Sequence, residues 1–123
     1  MSLEYKVIEV FTREGERWRH IPLNEAVLRL IRDRKLAARV LVLRAVGGAF
    51  EGGETVSQRV VDRAGDRPLK IEILLPAEEL GEVLSALNEM VRDGVIAVRD
   101  SSVVLHPTRR RPLPPAASGY TMS

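Results

Sequence analysis

The stretch Val40-Leu41-Val42-Leu43, followed by Arg44-Ala45-Val46-Gly47-Gly48-Ala49-Phe50-Glu51-Gly52-Gly53-Glu54 and then, after Pro68, by Leu69–Leu75, decides how this chain is read. Both apolar runs are short and aliphatic, rich in β-branched residues, which is the pattern of strands. The segment between them reaches to Arg67, far beyond the ~2–5 residues that join a hairpin. It carries the glycine pairs Gly47-Gly48 and Gly52-Gly53 and charges of both signs. A long loop inside a small domain is functional or disordered. The expected reading is an arm, held out by a rigid scaffold for a ligand or a partner.

The scaffold has to come from a chain of 123 residues, enough for one domain with one modest core. An apolar fraction of 45% is that of a globular protein. No run approaches the ~18 apolar residues of a membrane span. The opening Met1-Ser2-Leu3-Glu4 lacks the pattern of a signal peptide, and no cysteine is present for disulfide or thiol chemistry. Cytoplasmic residence is the expectation. Two histidines, His20 and His106, make a His-rich metal site unexpected. A net charge of +2 does not call for nucleic acid. The charge is uneven, however. Arg29–Arg44 is basic and Glu72–Asp100 is acidic, as if two elements with complementary surfaces lie side by side. Only Lys6, Lys35 and Lys70 are lysine among 19 basic residues.

In chain order, Tyr5–Thr12 reads as a buried strand. Arg13–His20 reads as a charged loop, with Trp18 covering part of the core or an interface. Pro22 suits a helix start, and Leu23, Ala26, Val27, Leu30 and Ile31 recur at helical spacing as far as Ala37-Ala38. The strand Val40–Leu43 then begins as a central one. Pro76-Ala77-Glu78-Glu79 opens a second helix with the stripe Leu80, Val83, Leu84, Leu87 and Val91. Asp93-Gly94 closes it. Val95–Val98 and Val103–Leu105 supply a final strand, interrupted at Asp100-Ser101-Ser102. The order βαββαβ predicts an α+β, ferredoxin-like sandwich with both helices on one face of an antiparallel sheet. Tyr5, Val7, Leu41, Leu43, Ile71 and Ile73 are assigned to the other face, which is too apolar to stay in water and calls for a second copy. The folded domain is expected over 1–105, with the long loop at 46–67 and an Arg/Pro-rich tail, extended and polyproline-like, at 106–123.

No catalytic constellation stands out. There is no Walker loop, and Ser57, Ser101 and Ser102 have no positioned histidine in sequence. The strands lack the paired aromatics of an RNA-binding platform. Gly47-Gly48 and Gly52-Gly53 could let backbone N–H groups approach an anion. Arg44 with Gly47 and Gly48 reads as a hinge at the root of the arm. Phe50, Glu51, Glu54, Arg59 and Arg63 read as the partner-contacting part.

Several short pieces, in their order and spacing, resemble the PII-like signalling proteins, in their uncharacterised domain-of-unknown-function branch. These are Pro22-Leu23-Asn24-Glu25-Ala26, Leu36-Ala37, Arg44-Ala45-Val46-Gly47-Gly48, Asp66-Arg67-Pro68 before Ile71-Glu72-Ile73, and Asp93-Gly94 before the last strand. The resemblance runs from Lys6 to Leu105. It implies a ferredoxin-like homotrimer with inward-facing sheets, acting as a non-enzymatic cytoplasmic sensor. Its small effector, often an adenine nucleotide, lies between subunits, and its loop contacts a target protein such as a membrane transporter or an enzyme. Carried over by position, Gly47 and Gly48 form the loop root, Asp93 and Gly94 the second wall, and Arg109, Arg110 and Arg111 the basic residues after the last strand. Two positions depart from the pattern. Val95 stands where nucleotide-binding relatives carry a lysine, and Gly48-Ala49-Phe50 replaces Gly-aromatic-Gly. The effector therefore stays open. The alternatives are a small ferredoxin-fold hydrolase, for which Arg13 lies after the first strand but Asn24 and Asn88, on the expected helices, are poorly placed to orient a water, and a CutA-like divalent-ion protein.

Overall fold

In the computed structural model, residues 2–46, 48–49, 55–56 and 67–106 are described. Tyr5–Thr12 is the middle of a longer strand, β1 (Ser2–Arg13). A two-residue ladder follows, β2 (Arg17–Trp18) with β3 (Ile21–Pro22). Its turn residues Arg19 and His20 both have positive φ, 49° and 71°, the backbone of a type I′ hairpin turn. The segment expected as a loop is thus a tight hairpin. Trp18 packs, half-buried, against the core, and the Arg19 guanidinium lies 4.8 Å from its ring centroid.

Helix α1 (Leu23–Asp33) starts directly after Pro22. Leu23, Ala26, Val27 and Ile31 are buried, as their spacing required. The helix stops several residues before Ala37. Lys35 takes φ 52°, its amide donates to the Arg32 carbonyl, and the Leu36 amide donates to the Ile31 carbonyl. Those two bonds are a Schellman cap, closed here without glycine.

β4 (Arg39–Arg44), β7 (Pro68–Pro76), β1 and β8 (Val95–Val104) form one antiparallel sheet in the order β4-β7-β1-β8. Two expectations need correction here. β4 is an edge strand, and the central pair is β1 and β7, the strands that carry the fully buried Ile8, Val10, Ile71 and Ile73. β8 pairs with β1 from Val95 to Val104 without a break, with Asp100 and Ser102 exposed and Ser101 between them partly buried on the other face. Between β4 and β7 the chain adds a small ladder, β5 (Gly48–Ala49) with β6 (Thr55–Val56). A 3-10 turn at Ala77–Glu79 leads into α2 (Leu80–Met90).

Ile8 and Val10 of β1 and Leu69, Ile71, Ile73 and Leu75 of β7 form a single cluster with the buried stripe of α1 and with Val83, Leu87 and Met90 of α2. Both helices therefore cover one sheet face, and the fold is the ferredoxin-like α+β sandwich expected. Each of these fully buried aliphatic side chains contributes roughly 1.5–3 kcal/mol. Ile71 and Ile73, assigned from sequence to the open face, belong to this core, since β7 alternates and presents its odd-numbered residues to the helices. The complementary charge map is realised where Arg34, at the C-cap of α1, meets Glu82 of α2 at 3.0 Å. Glu79 also accepts the Ala37 amide at 2.9 Å, tying the start of α2 to the α1–β4 connection.

The opposite face is ruled by cross-strand rows. Leu43, Lys70, Phe11 and Val95 form one row, and Leu41, Glu72, Glu9 and Ala97 the next. Glu9 and Glu72 are direct ladder partners, a repulsive pairing. Lys70 offsets it at 3.2 Å from Glu9, and Arg99 does so at 3.6 Å from both carboxylates. Phe11, Leu41, Leu43 and Val95 remain exposed on this face. Among the described residues no helix is long and apolar enough to cross a membrane.

Candidate functional site

A cleft of about 780 Å³ opens at the end of the sheet where β1 and β4 finish and β7 and β8 begin. Its floor is the exposed row Leu43, Lys70, Phe11 and Val95. One wall is the root of the long arm, Arg44-Ala45 on the way out and Pro68-Leu69 on the way back. The other wall is the turn after α2, Arg92-Asp93-Gly94. The arm's feet are joined by the Ala45 amide, which donates to the Pro68 carbonyl at 3.0 Å.

The second wall is held to the sheet in two ways. Thr12, the buried polar residue of β1, donates from its hydroxyl to the Asp93 carbonyl at 3.0 Å. Gly94 lies so close to β1 that a Cβ there would sit 2.5 Å from the Phe11 carbonyl oxygen. No side chain fits that space, so the glycine is required sterically.

Four cations line the cleft, Arg13, Arg44, Lys70 and Arg92, against one carboxylate, Asp93. Arg13 lies 3.8 Å from Asp93, and Arg44 pairs with Glu14 at 2.6 Å. Lys70 pairs with Glu9 and sits 6.0 Å above the centre of the Phe11 ring. A concave, partly apolar surface lined by several guanidinium groups suits an anion that also presents a flat apolar part.

Of the site residues read from sequence, Arg44, Asp93 and Gly94 come together at this cleft, whereas Gly48 lies in β5 and is not in its lining. Gly47, Phe50, Glu51, Glu54, Arg59, Arg63, Arg109, Arg110 and Arg111 lie outside the described residues. Sequence reading missed Phe11, Lys70 and Arg92. Their only signal was adjacency to the named motifs, because sheet order, not spacing, brings them together. Asn24 and Asn88 sit on α1 and α2 and do not line the cleft, although Arg13 does. Among the described residues no group of three or more His, Cys, Asp or Glu converges as metal ligands would. A smaller cleft at the opposite end of the sheet holds Lys6 and Asp100. The Asp100 carboxylate, by hydrogen bond and charge, raises the Lys6 amine above its ordinary pKa.

The family described as Uncharacterized ACR, DUF190, matches residues 5–103. The chain belongs to this family. The fold of this chain is similar to that of PII-like proteins. One structure that it resembles is CPII, a nitrogen regulatory PII-like protein from Thiomonas intermedia K12, solved bound to ADP, AMP and bicarbonate. That likeness has a TM-score of 0.62 at 16% identity and covers 84% of this chain and 91% of that one. A second CPII structure from the same organism, bound to ADP and bicarbonate, matches with a TM-score of 0.59 at 17% identity over the same shares of the two chains. The resemblance read from Pro22–Ala26, the loop root and Asp93-Gly94 is thereby borne out at the level of family and fold.

Proposed function

We propose that this DUF190 protein is a non-enzymatic PII-like regulator that binds a small anionic effector in the basic cleft and reads a target protein through the arm at 46–67. The observation that carries this reading is the cleft itself. Four cations line the cleft where both feet of the arm meet the Asp93-Gly94 turn. A bound anion there touches the arm's root directly, so it can select between arm states if its affinity differs between them. An adenine nucleotide is the first candidate. Its phosphates suit Arg13, Arg44 and Arg92, and its base suits the exposed Phe11 and Leu43. Val95 offers no cation where a lysine was expected, and Arg92 supplies charge from the same turn. Bicarbonate is the second candidate, as a small planar anion for one guanidinium.

The working form is a homotrimer in which the sheet face bearing Phe11, Leu41, Leu43 and Val95 is covered by other copies. This assembly would roof the cleft and complete it.

A thermal-shift series with ADP, AMP, ATP, bicarbonate and divalent metals tests the reading. A ligand that binds only the folded chain stabilises it by ~2.7 kcal/mol at a hundredfold excess over Kd. A nucleotide or bicarbonate shift that Arg44→Ala removes supports the proposal. Hydrolase turnover lost in Arg13→Ala, with no such shift, overturns it.

A further inference from the structure

Glu14 bridges both feet of the arm. Its backbone amide donates to the Arg67 carbonyl at 2.8 Å, on the returning foot. Its carboxylate meets Arg44 Nε at 2.6 Å, on the outgoing foot. The feet are only one ladder step from each other here, with Arg44 opposite Leu69 and Arg13 opposite Pro68. Arg44 is also one of the cleft's four cations, whereas Glu14 is not part of the cleft lining. So one guanidinium serves two places, an internal carboxylate and the cleft.

We propose that Glu14 is a built-in competitor for Arg44, a positioning residue that clasps the arm until a multiply charged phosphate anion draws Arg44 into the cleft. The inference rests on the cleft being an anion site, as proposed above. Both side chains are partly exposed, Arg44 at 56% and Glu14 at 32%, and exposed pairs are weak and screened. A phosphate group carrying two charges, also met by Arg13 and Arg92, outcompetes such a pair. A singly charged anion that meets fewer of these cations gains less and leaves the clasp closed. Specificity then arises from the internal rival as well as from the contacts to the ligand. When Arg44 leaves, Glu14 keeps its backbone bond to Arg67 but loses its hold on the outgoing foot, which then depends on the Ala45–Pro68 hydrogen bond and the β4–β7 ladder alone.

The test is a double-mutant cycle in ADP affinity, read by calorimetry on the full chain, using Glu14→Gln, Arg44→Gln and the double variant. Glu14→Gln keeps the side chain's size and removes its charge. It is expected to tighten ADP about two- to fivefold, the range that an exposed ion pair supports. That gain should vanish in the Arg44→Gln background. Amide hydrogen exchange at Ala45 should be faster in ligand-free Glu14→Gln than in the wild type. Equal or weaker ADP binding by Glu14→Gln overturns the competition and leaves the cleft's assignment standing. A gain that persists without Arg44 overturns it too, since general charge then explains the effect. If no variant and no wild-type protein binds ADP or inorganic pyrophosphate, the clasp proposal falls together with the anion site.

Discussion

Gly94 and Phe11 are in contact through backbone alone, with the Gly94 Cα so placed that an added methyl would meet the Phe11 carbonyl oxygen at 2.5 Å. This contact fixes the Arg92-Asp93-Gly94 wall against the end of β1, and with it the width of the cleft. Gly94→Ala should therefore cost roughly 1–3 kcal/mol, as overpacking does. It should also weaken any cleft ligand, because the wall must shift outward. Urea denaturation checks the first effect, and unchanged stability would show that the turn has room to move.

The α1 cap gives a prediction of opposite sign. Lys35 occupies the left-handed region at φ 52° in a Schellman cap. Lys35→Gly relieves the Cβ clash there, partly offset by the greater freedom of glycine in the unfolded chain. The net expectation is a gain of about 0.5–1 kcal/mol, read from the midpoint of thermal or urea unfolding.

These two positions, Gly94 and Lys35, also mark what was legible in the sequence. Gly94 was legible only as a turn: it was read as the left-handed end of the second helix, whereas α2 ends at Met90 with Val91 as its cap, and Gly94, extended at φ 158°, is needed for its close approach to Phe11. Lys35 was not legible, since nothing in a lysine signals positive φ, and the helix was extended past it to Ala37. The stripes Leu23–Ile31 and Val83–Leu87 were legible because a helical period has one buried side. The strand faces were harder. Ile71 and Ile73 went to the wrong face although Lys70 and Glu72 alternate with Leu69, Ile71, Ile73 and Leu75 in the sequence; only Leu74 and the flanking prolines blur that alternation. The cleft was half legible. Arg44 and Asp93-Gly94 belong to recognisable turns, but Phe11, Lys70 and Val95 join them only through the sheet order β4-β7-β1-β8.

The exposed sheet face predicts assembly. Leu41 is 59% exposed and stands opposite Glu72 in the ladder. Leu41→Glu places a third carboxylate beside Glu9 and Glu72, which already lean on Lys70 and Arg99. The variant should stay folded, since Leu41 lies outside the core cluster, yet scatter light as a monomer where the wild type scatters as a trimer. A wild-type monomer at micromolar concentration would overturn the trimer outright.

The arm predicts separability. Its feet are closed by the Ala45–Pro68 hydrogen bond and by the Arg44–Leu69 register, independent of what lies further out. Deleting Gly52–Asp62 should change stability by no more than about 1 kcal/mol, because loop length enters closure entropy only logarithmically. Partner capture should be abolished. Unfolding of the deletion variant would show that the arm is part of the scaffold.

The account's central claim is that an anionic effector sits where the arm root meets the Asp93-Gly94 turn. The most direct measurement is a backbone amide NMR titration of the full chain with ADP. The account predicts shifts that saturate and that cluster at Thr12, Arg13, Arg44, Ala45, Arg92, Asp93 and Gly94, with α1 and the Lys6–Asp100 end of the sheet unmoved. Shifts centred at that far end, or no shifts at millimolar ADP, would contradict it.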